Sequence, residues 1–211
     1  MTLDFAVARE NMVENQVRTN DVTDLAVQDA MRVAPRERFC AASKSYLAYA
    51  EGEIEYAPGL RLMAARDISK LLQALAPKPG ETALAVCAPY AAMLLCLIGL
   101  KTTLRVPEGA VAAATQALQG YDIVIEAGDP ALAPGGPYEL VVVEGAVPLA
   151  PGAWIDALGA GGRLGVVERS GPVGKARIYL HGDHARAASR ELFDATPSML
   201  PGFKPQPSFA F

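Results

Sequence analysis

One stretch of the sequence decides the fold: TALAVCAPYAAMLLCLIGL, residues 82–100. Its nineteen residues are almost all apolar, which is the length and character of a membrane span. Pro89 and Tyr90 interrupt the run, however, and the turn residues Pro79-Gly80 precede it. The pattern therefore predicts a buried strand over Thr82–Cys87, followed by a buried helix over Ala91–Leu100.

Short apolar runs alternate with helical patterns from this stretch onward. The predicted strands are Thr82–Cys87, Thr103–Val106, Asp122–Glu126, Leu140–Glu144, Arg163–Glu168, Ala176–Leu180 and a last one at Ser208–Phe211. The predicted helices between them are Ala91–Leu100, Gly109–Leu118, Ala153–Leu158 and Asp183–Asp194. Such alternation is typical of an α/β fold whose parallel sheet is covered on both faces. The two last strands can pair antiparallel at one edge.

The sequence before Pro79 has a helical pattern instead. Helices are predicted over Phe5–Val17, from a cap at Asp21 to Pro35, near Ser43–Ala50, and over Leu62–Ala76. We therefore expect a single domain over residues 1–211, with a helical extension at 1–78 and an α/β core at 79–211. A length of 211 residues also favours one domain.

Composition and charge exclude several classes of partner. The net charge is −4, and no cluster of lysine or arginine compensates for it, so we expect no nucleic-acid partner. The interruptions in residues 82–100 argue equally against a membrane span. The opening MTLDFAVARENMVEN carries acids where a signal peptide has a basic region and an apolar run. The expected location is therefore cytoplasmic.

Cysteines and histidines indicate no metal site. The cysteines Cys40, Cys87 and Cys96 are odd in number and lack CxxC spacing, which argues against a disulfide framework or a zinc site. Small apolar filling is their expected role. His181 and His184 are three residues apart but span a predicted strand-to-helix turn without a third ligand nearby in sequence.

The turn after the first core strand lacks the residues of a nucleotide site. Ligands of open α/β sheets bind at the carboxyl ends of the strands, where glycines let the backbone approach them. Here the strand runs into Cys87-Ala88-Pro89-Tyr90, and no glycine occurs between Gly80 and Gly99. Pro89 also removes one N–H donor.

Two long segments resemble a known family. The run NMVENQVRTNDVTDLAVQDAMRVAPRERF, residues 11–39, is similar to the opening of the protein-L-isoaspartate O-methyltransferases. The run YELVVVEGAVPLAPGAWIDALGAGGRLGVV, residues 138–167, resembles that family's fourth strand, proline-bearing loop, helix and Gly-Gly-Arg-Leu entry to the fifth strand. The resemblance implies a doubly wound, Rossmann-like methyltransferase fold with about seven mostly parallel strands. It also implies S-adenosylmethionine as methyl donor and an isoaspartyl carboxylate as acceptor.

The departures from the family fall on the expected cofactor positions. A GxGxGY-like turn in the family corresponds to Ala85–Tyr90 here, so Tyr90 is the candidate for its aromatic residue. The acid that binds the ribose corresponds to Glu108 behind a proline, and the Gly-Asp-Gly after the third strand becomes Gly128-Asp129-Pro130. The resemblance thus marks Tyr90, Glu108 and Asp129 as cofactor-binding candidates. A helix-terminal acid for Glu108 and a turn residue for Asp129 are the alternatives.

The acceptor loop departs as well. A Ser/Thr-x-Pro-His-like run in the family corresponds to Leu62-Met63-Ala64-Ala65-Arg66, which has no hydroxyl, proline or histidine. Arg66 either binds a carboxylate or pairs locally with Asp67 or Lys70. No catalytic residue is assigned.

Two functional hypotheses follow. The first is a degenerate member of the family that has lost both S-adenosylmethionine binding and acceptor chemistry, and that binds another protein of unknown identity. No cofactor is then expected. The alternative is an active S-adenosylmethionine-dependent O-methyltransferase with an unusual cofactor pocket, because methyl transfer depends mainly on positioning donor and acceptor.

Overall fold

A helical extension begins the chain in the computed structural model, which describes residues 4–182 and 187–203. Its α-helices are α1 (Phe5–Met12), α2 (Leu25–Val33) and α3 (Ala65–Leu75). Shorter turns of π- or 3₁₀-helix lie at Val13–Val17, Arg18–Asn20, Arg36–Phe39 and Ala42–Leu47. A two-stranded hairpin, β1 (Ile54–Ala57) and β2 (Leu60–Leu62), precedes α3.

The core consists of one seven-stranded sheet and three short helices. The strands are β3 (Thr82–Val86), β4 (Lys101–Val106), β5 (Ile123–Ala127), β6 (Tyr138–Val147), β7 (Leu158–Glu168), β8 (Gly174–Leu180) and β9 (Ala188–Ala195). The helices are α4 (Pro89–Ile98), α5 (Val111–Ala117) and α6 (Gly152–Asp156). Residues 82–100 thus form a strand and a helix, as predicted, and no helix in the described part of the chain has the length and apolar character needed to cross a membrane.

The strand order, β5-β4-β3-β6-β7-β8-β9, confirms the mostly parallel, doubly wound sheet. Strands β3 to β7 are all parallel, whereas β8 and β9 are antiparallel to their neighbours. From β3 the chain adds β4 and β5 on one side of the sheet, and it then returns to add β6 and the later strands on the other side. The strand order therefore reverses between β3 and β6. The crevice at the carboxyl end of such a strand is where open α/β sheets bind ligands.

One continuous core joins the extension to the sheet. Met12, Val17 and Met31 of the extension are buried in the same apolar cluster as Leu84 of β3 and Leu94 of α4. Helix α4 is buried along most of its length, because it is covered by both the sheet and α2. The extension therefore covers the face of the sheet on which α4 lies.

Near the carboxyl end, one predicted element is wrong and another lies outside the described residues. The helix predicted over Asp183–Asp194 is wrong where the structure describes it, because Ala188–Ala195 form β9 and pair with β8. Pairing to an open strand edge outweighs the weak helical preference of this polar segment. The predicted strand Ser208–Phe211 and His184 lie outside the described residues.

Two predictions in the extension also differ from the structure. The N-cap of α2 is Asp24, whose side chain accepts the Val27 N–H at 3.2 Å, whereas Asp21 adopts a left-handed turn conformation before it. The helix predicted from Leu62 begins at Ala65, because the residues before it form the hairpin. Strands of three or four residues carry too little periodicity to be detected in a sequence.

Candidate functional site

The ends of four parallel strands meet around the carboxyl end of β3. Cys87 and Ala88 connect β3 to α4, which has Tyr90 in its first turn. Glu108 follows β4 and Asp129 follows β5. Glu144 lies within β6, beside the end of β3. The predicted site residues therefore come from neighbouring strand ends, but their side chains lie in very different environments.

The connection after β3 is tight and closed. Cys87 has a φ of 50°, a left-handed conformation that residues other than glycine adopt at a cost of about 1 kcal/mol or more. Its N–H donates to the carbonyl oxygen of Arg105 at 2.8 Å. The residue is only 1% exposed. Burial, and then the nearby Glu144 carboxyl, raise the pKa of the Cys87 thiol to about 12, so this group is not a thiolate nucleophile near neutral pH.

The Glu144 carboxyl occupies the amino end of α4. It is fully buried, at 0% exposure, and accepts N–H groups from Ala91 at 3.4 Å and from Met63 at 3.3 Å. Burial raises its pKa to about 7, although Arg36 and the backbone N–H groups act in the opposite direction. A helix amino end is a natural anion site, and here an internal carboxyl fills it.

Tyr90 is a core residue. Its side chain is 0% exposed and meets the Phe39 ring edge-to-face, with centroids 5.9 Å apart. The Arg36 guanidinium lies over the Tyr90 ring, 4.6 Å from its centroid. Among the described residues the Tyr90 hydroxyl has no hydrogen-bond partner. Tyr90 consequently offers no surface to a ligand in this conformation.

Arg36 is the second buried charge at this site. Its Nε donates to the Ala48 carbonyl at 3.1 Å and its Nη2 to the Met63 carbonyl at 2.6 Å. No partner for Nη1 lies within the part of the chain that the structure describes. Arg36 thus connects two segments of the extension, one at Ala48 and one just before α3, and it offsets part of the negative charge of Glu144.

Glu108 and Asp129 are exposed but do not converge on a common group. Glu108 begins a 3₁₀ turn after β4. The Asp129 side chain accepts the Ala131 N–H at 2.9 Å, which is the geometry of a turn residue. Among the described residues, no donor is hydrogen-bonded to both of these carboxyls.

Arg105 fills the space between the ends of β4 and β5. Its guanidinium donates to the carbonyl oxygens of Ala127 at 2.9 Å and Asp129 at 3.3 Å. A Cβ on Gly128 would come within 2.3 Å of this guanidinium, so the glycine is needed for the close approach. The arginine therefore occupies volume beside the two exposed acids.

The segment corresponding to the acceptor loop is also engaged internally. Leu62 and Met63 are buried, and both backbone groups of Met63 bond to the buried charges described above. Arg66 pairs with Asp67 at 2.9 Å, which is one of the two local partners predicted for it. Within the described chain, no cluster of three or more histidine, cysteine or acidic side chains could hold a metal ion.

Sequence reasoning missed Glu144 and Arg36. The signal for Glu144 was visible, because it is a lone acid in the apolar run LVVVEGAV, which was predicted to be a covered strand. A charge in such a position has to find donors in the interior. Arg36 gave no comparable signal, since RERF reads as a solvated turn.

Comparisons with known proteins identify the family. The family model described as protein-L-isoaspartate(D-aspartate) O-methyltransferase matches residues 7–181. A protein-L-isoaspartate O-methyltransferase 1 from Rhodopseudomonas palustris (strain HaA2) is 33% identical over 168 residues, which cover 76% of this chain and 69% of that protein. A protein-L-isoaspartate O-methyltransferase from Methylorubrum extorquens (strain PA1) is 30% identical, over 84% of this chain and 80% of the relative.

Solved structures agree on the fold. One protein-L-isoaspartate O-methyltransferase superposes with a TM-score of 0.77 at 16% identity, over 92% of this chain and 66% of that chain, just under two thirds of its length. A putative enzyme of the same name from Plasmodium falciparum, in complex with S-adenosyl-L-homocysteine, gives a TM-score of 0.75 at 14% identity over 94% of this chain and 99% of its own. The family model and the two relatives show that this chain belongs to the protein-L-isoaspartate(D-aspartate) O-methyltransferase family.

Proposed function

We propose that this chain is a non-catalytic member of its family, which does not take S-adenosylmethionine at the turn after β3 and acts by binding another protein. A single observation carries the proposal. The first turn of α4, which would have to face the cofactor, already holds the buried Glu144 carboxyl.

The residues of this turn do not fit the cofactor. A ligand at this position needs exposed N–H groups and a backbone that it can approach closely. Cys87, Ala88 and Tyr90 are essentially unexposed, and Pro89 has no N–H. Binding would require Tyr90 to leave the core and Glu144 to give up its backbone donors, which would leave buried polar groups unsatisfied at about 1–3 kcal/mol each.

The second candidate is an active methyltransferase, and the comparisons favour it. The relatives are named as enzymes, one structural neighbour contains S-adenosyl-L-homocysteine, and nothing in these comparisons indicates a loss of the cofactor. The expectation that no cofactor binds therefore depends on the geometry of the turn alone. Under this alternative the exposed Glu108 and Asp129 are the ribose and adenine-side ligands, and the turn after β3 has to open.

Calorimetric titration separates the two candidates. The chain is titrated with S-adenosylmethionine and with S-adenosyl-L-homocysteine, and the Rhodopseudomonas palustris relative is titrated in parallel as control. We expect no saturable binding up to about 1 mM. Dissociation constants of tens of micromolar or below would refute the proposal that the turn after β3 excludes the cofactor.

A matched variant tests whether Glu108 and Asp129 are responsible for any binding that is observed. The double substitution Glu108→Ala with Asp129→Ala changes two exposed side chains and should leave the fold intact. Weaker binding in this variant would place the cofactor beside these two acids, as the active alternative requires. A parallel assay of methyl transfer to an isoaspartyl peptide tests activity directly, and turnover there would end the non-catalytic proposal.

A further inference from the structure

We propose that the free edge of β1 is a docking site for an extended, acidic polypeptide segment. The edge borders a cavity of about 710 Å³ between the hairpin, residues 38–47 of the extension and α5. A cavity of this size is typical of a binding site. The proposal deepens the binding role proposed above and rests on it, but it places the partner away from the closed turn after β3.

The backbone of β1 has an unpaired side. The hairpin is a separate two-stranded sheet, so β1 pairs with β2 alone. Within the described chain, no backbone hydrogen bond joins residues 53–58 to any segment outside the hairpin. All six of these residues line the cavity. An open strand edge of this kind binds a further strand through its main-chain groups, which argues for a polypeptide in extended conformation.

The floor of the cavity is apolar and firmly held. Phe39, Ile54 and Tyr56 are buried there. The Tyr56 hydroxyl donates to the Cys87 carbonyl at 3.1 Å, which anchors the ring against the closed turn. Successive side chains of a strand point to opposite faces. An added strand would therefore place every second side chain on this floor, and those side chains should be apolar.

The lining of the cavity has a small net positive charge, because it contains three cations, Arg38, Lys44 and Arg61, and two acids, Glu53 and Glu55. Lys44 and Arg61 are exposed and form no ion pair with any described residue, although Arg61 lies opposite Glu55 in the hairpin. The two acids keep their negative charge but are hydrogen-bonded within the chain. Glu55 accepts the Gly59 N–H at 3.1 Å, and Glu53 accepts the N–H and hydroxyl of Ser198 at 2.7 and 2.6 Å.

Arg38, the third cation of the lining, donates to the Gln119 carbonyl at 2.9 Å and is held in place by it. Lys44 and Arg61 are therefore the groups available to a partner. Charge complementarity of this kind selects a segment that alternates acidic and apolar side chains.

Fluorescence anisotropy with a labelled octapeptide of alternating valine and glutamate tests the site. Controls are the valine–lysine peptide and a valine–glutamate peptide N-methylated at every residue, which has no N–H group to donate to a ladder. The variant Lys44→Glu with Arg61→Glu is compared with Lys101→Glu with Arg190→Glu. The second pair makes the same change in charge at exposed positions remote from the cavity.

Of the three peptides, we expect only the unmodified valine–glutamate peptide to bind saturably. Its affinity should be at least about tenfold lower in the Lys44/Arg61 variant and unchanged in the Lys101/Arg190 variant. Hydrogen exchange of the amides of residues 54–57 should slow on binding. Absent binding, equal binding of the N-methylated peptide, or an equal loss in both variants would overturn the docking site. No S-adenosylmethionine is present in this assay, so its outcome is independent of the calorimetric test of the closed turn.

Discussion

The guanidinium of Arg36 lies 4.6 Å from the centroid of the Tyr90 ring, and both side chains are buried. The contact joins the helical extension to the first turn of α4 through a cation–π interaction. The extension thereby holds in the core the one aromatic residue that the family resemblance had marked for the cofactor. The closed turn is consequently a property of how the extension packs on the sheet, as well as of the missing glycines.

The Tyr90 hydroxyl provides the first test of this packing. Because the hydroxyl is buried without a partner, Tyr90→Phe should raise the free energy of unfolding by about 1 kcal/mol while the ring keeps its contacts with Arg36 and Phe39. Urea denaturation measures the change. Tyr90→Leu, which removes the ring, should lower the free energy by about 1–3 kcal/mol. A loss of stability in Tyr90→Phe would show that the hydroxyl is bonded after all.

Glu144 should make stability depend on pH. Its pKa is raised to about 7 in the folded chain, against an ordinary value of 4.5. The folded state thus binds this proton more tightly, and the resulting stabilisation is complete below about pH 4.5 and lost as the pH rises through about 7. The difference corresponds to about 3 kcal/mol of unfolding free energy. Cys87, with a pKa near 12, stays neutral throughout this range.

Glu144→Gln removes the titration. At pH 5 the variant and the original chain should be similar in stability, whereas at pH 8 the variant should be more stable by up to about 3 kcal/mol. Urea midpoints between pH 5 and 8 provide the measurement. Glu108→Gln, at an exposed carboxyl, is the control and should follow the original chain. Parallel pH profiles for Glu144→Gln and the original chain would show that Glu144 does not titrate in this range.

The architecture of the core was predictable because its strands are short apolar runs between turn residues, as in Thr82–Val86. Covered strands leave that signature whatever their neighbours are. The environment of Tyr90 could not be predicted, because it depends on Arg36 and Phe39, which lie about fifty residues away in sequence and reach it only through tertiary packing. The strand β9 was mistaken for a helix for a related reason, since its conformation is imposed by β8.

Arg105 and Gly128 should be energetically coupled. Gly128 has a φ of 149°, and an added Cβ would lie 2.3 Å from the Arg105 guanidinium. Gly128→Ala should therefore lower the free energy of unfolding by about 2 kcal/mol, through backbone strain and displacement of the arginine. In an Arg105→Ala background the same substitution should cost about 1 kcal/mol less. A double-mutant cycle from urea denaturation measures the coupling, and additive effects would mean that the arginine does not sit against the glycine.

Adding glycines to the turn after β3 should not by itself allow the cofactor to bind there. The double variant Ala88→Gly with Pro89→Gly restores backbone freedom, but the Glu144 carboxyl still accepts the Ala91 N–H and the Tyr90 ring still lies under Arg36. We expect no binding of S-adenosyl-L-homocysteine in calorimetry, and a loss of about 1–2 kcal/mol in unfolding free energy from the two added glycines. Circular dichroism and urea denaturation confirm that the protein titrated is folded. Binding at tens of micromolar in this variant would show that the missing glycines prevent binding. It would also show that Glu144 and Tyr90 do not.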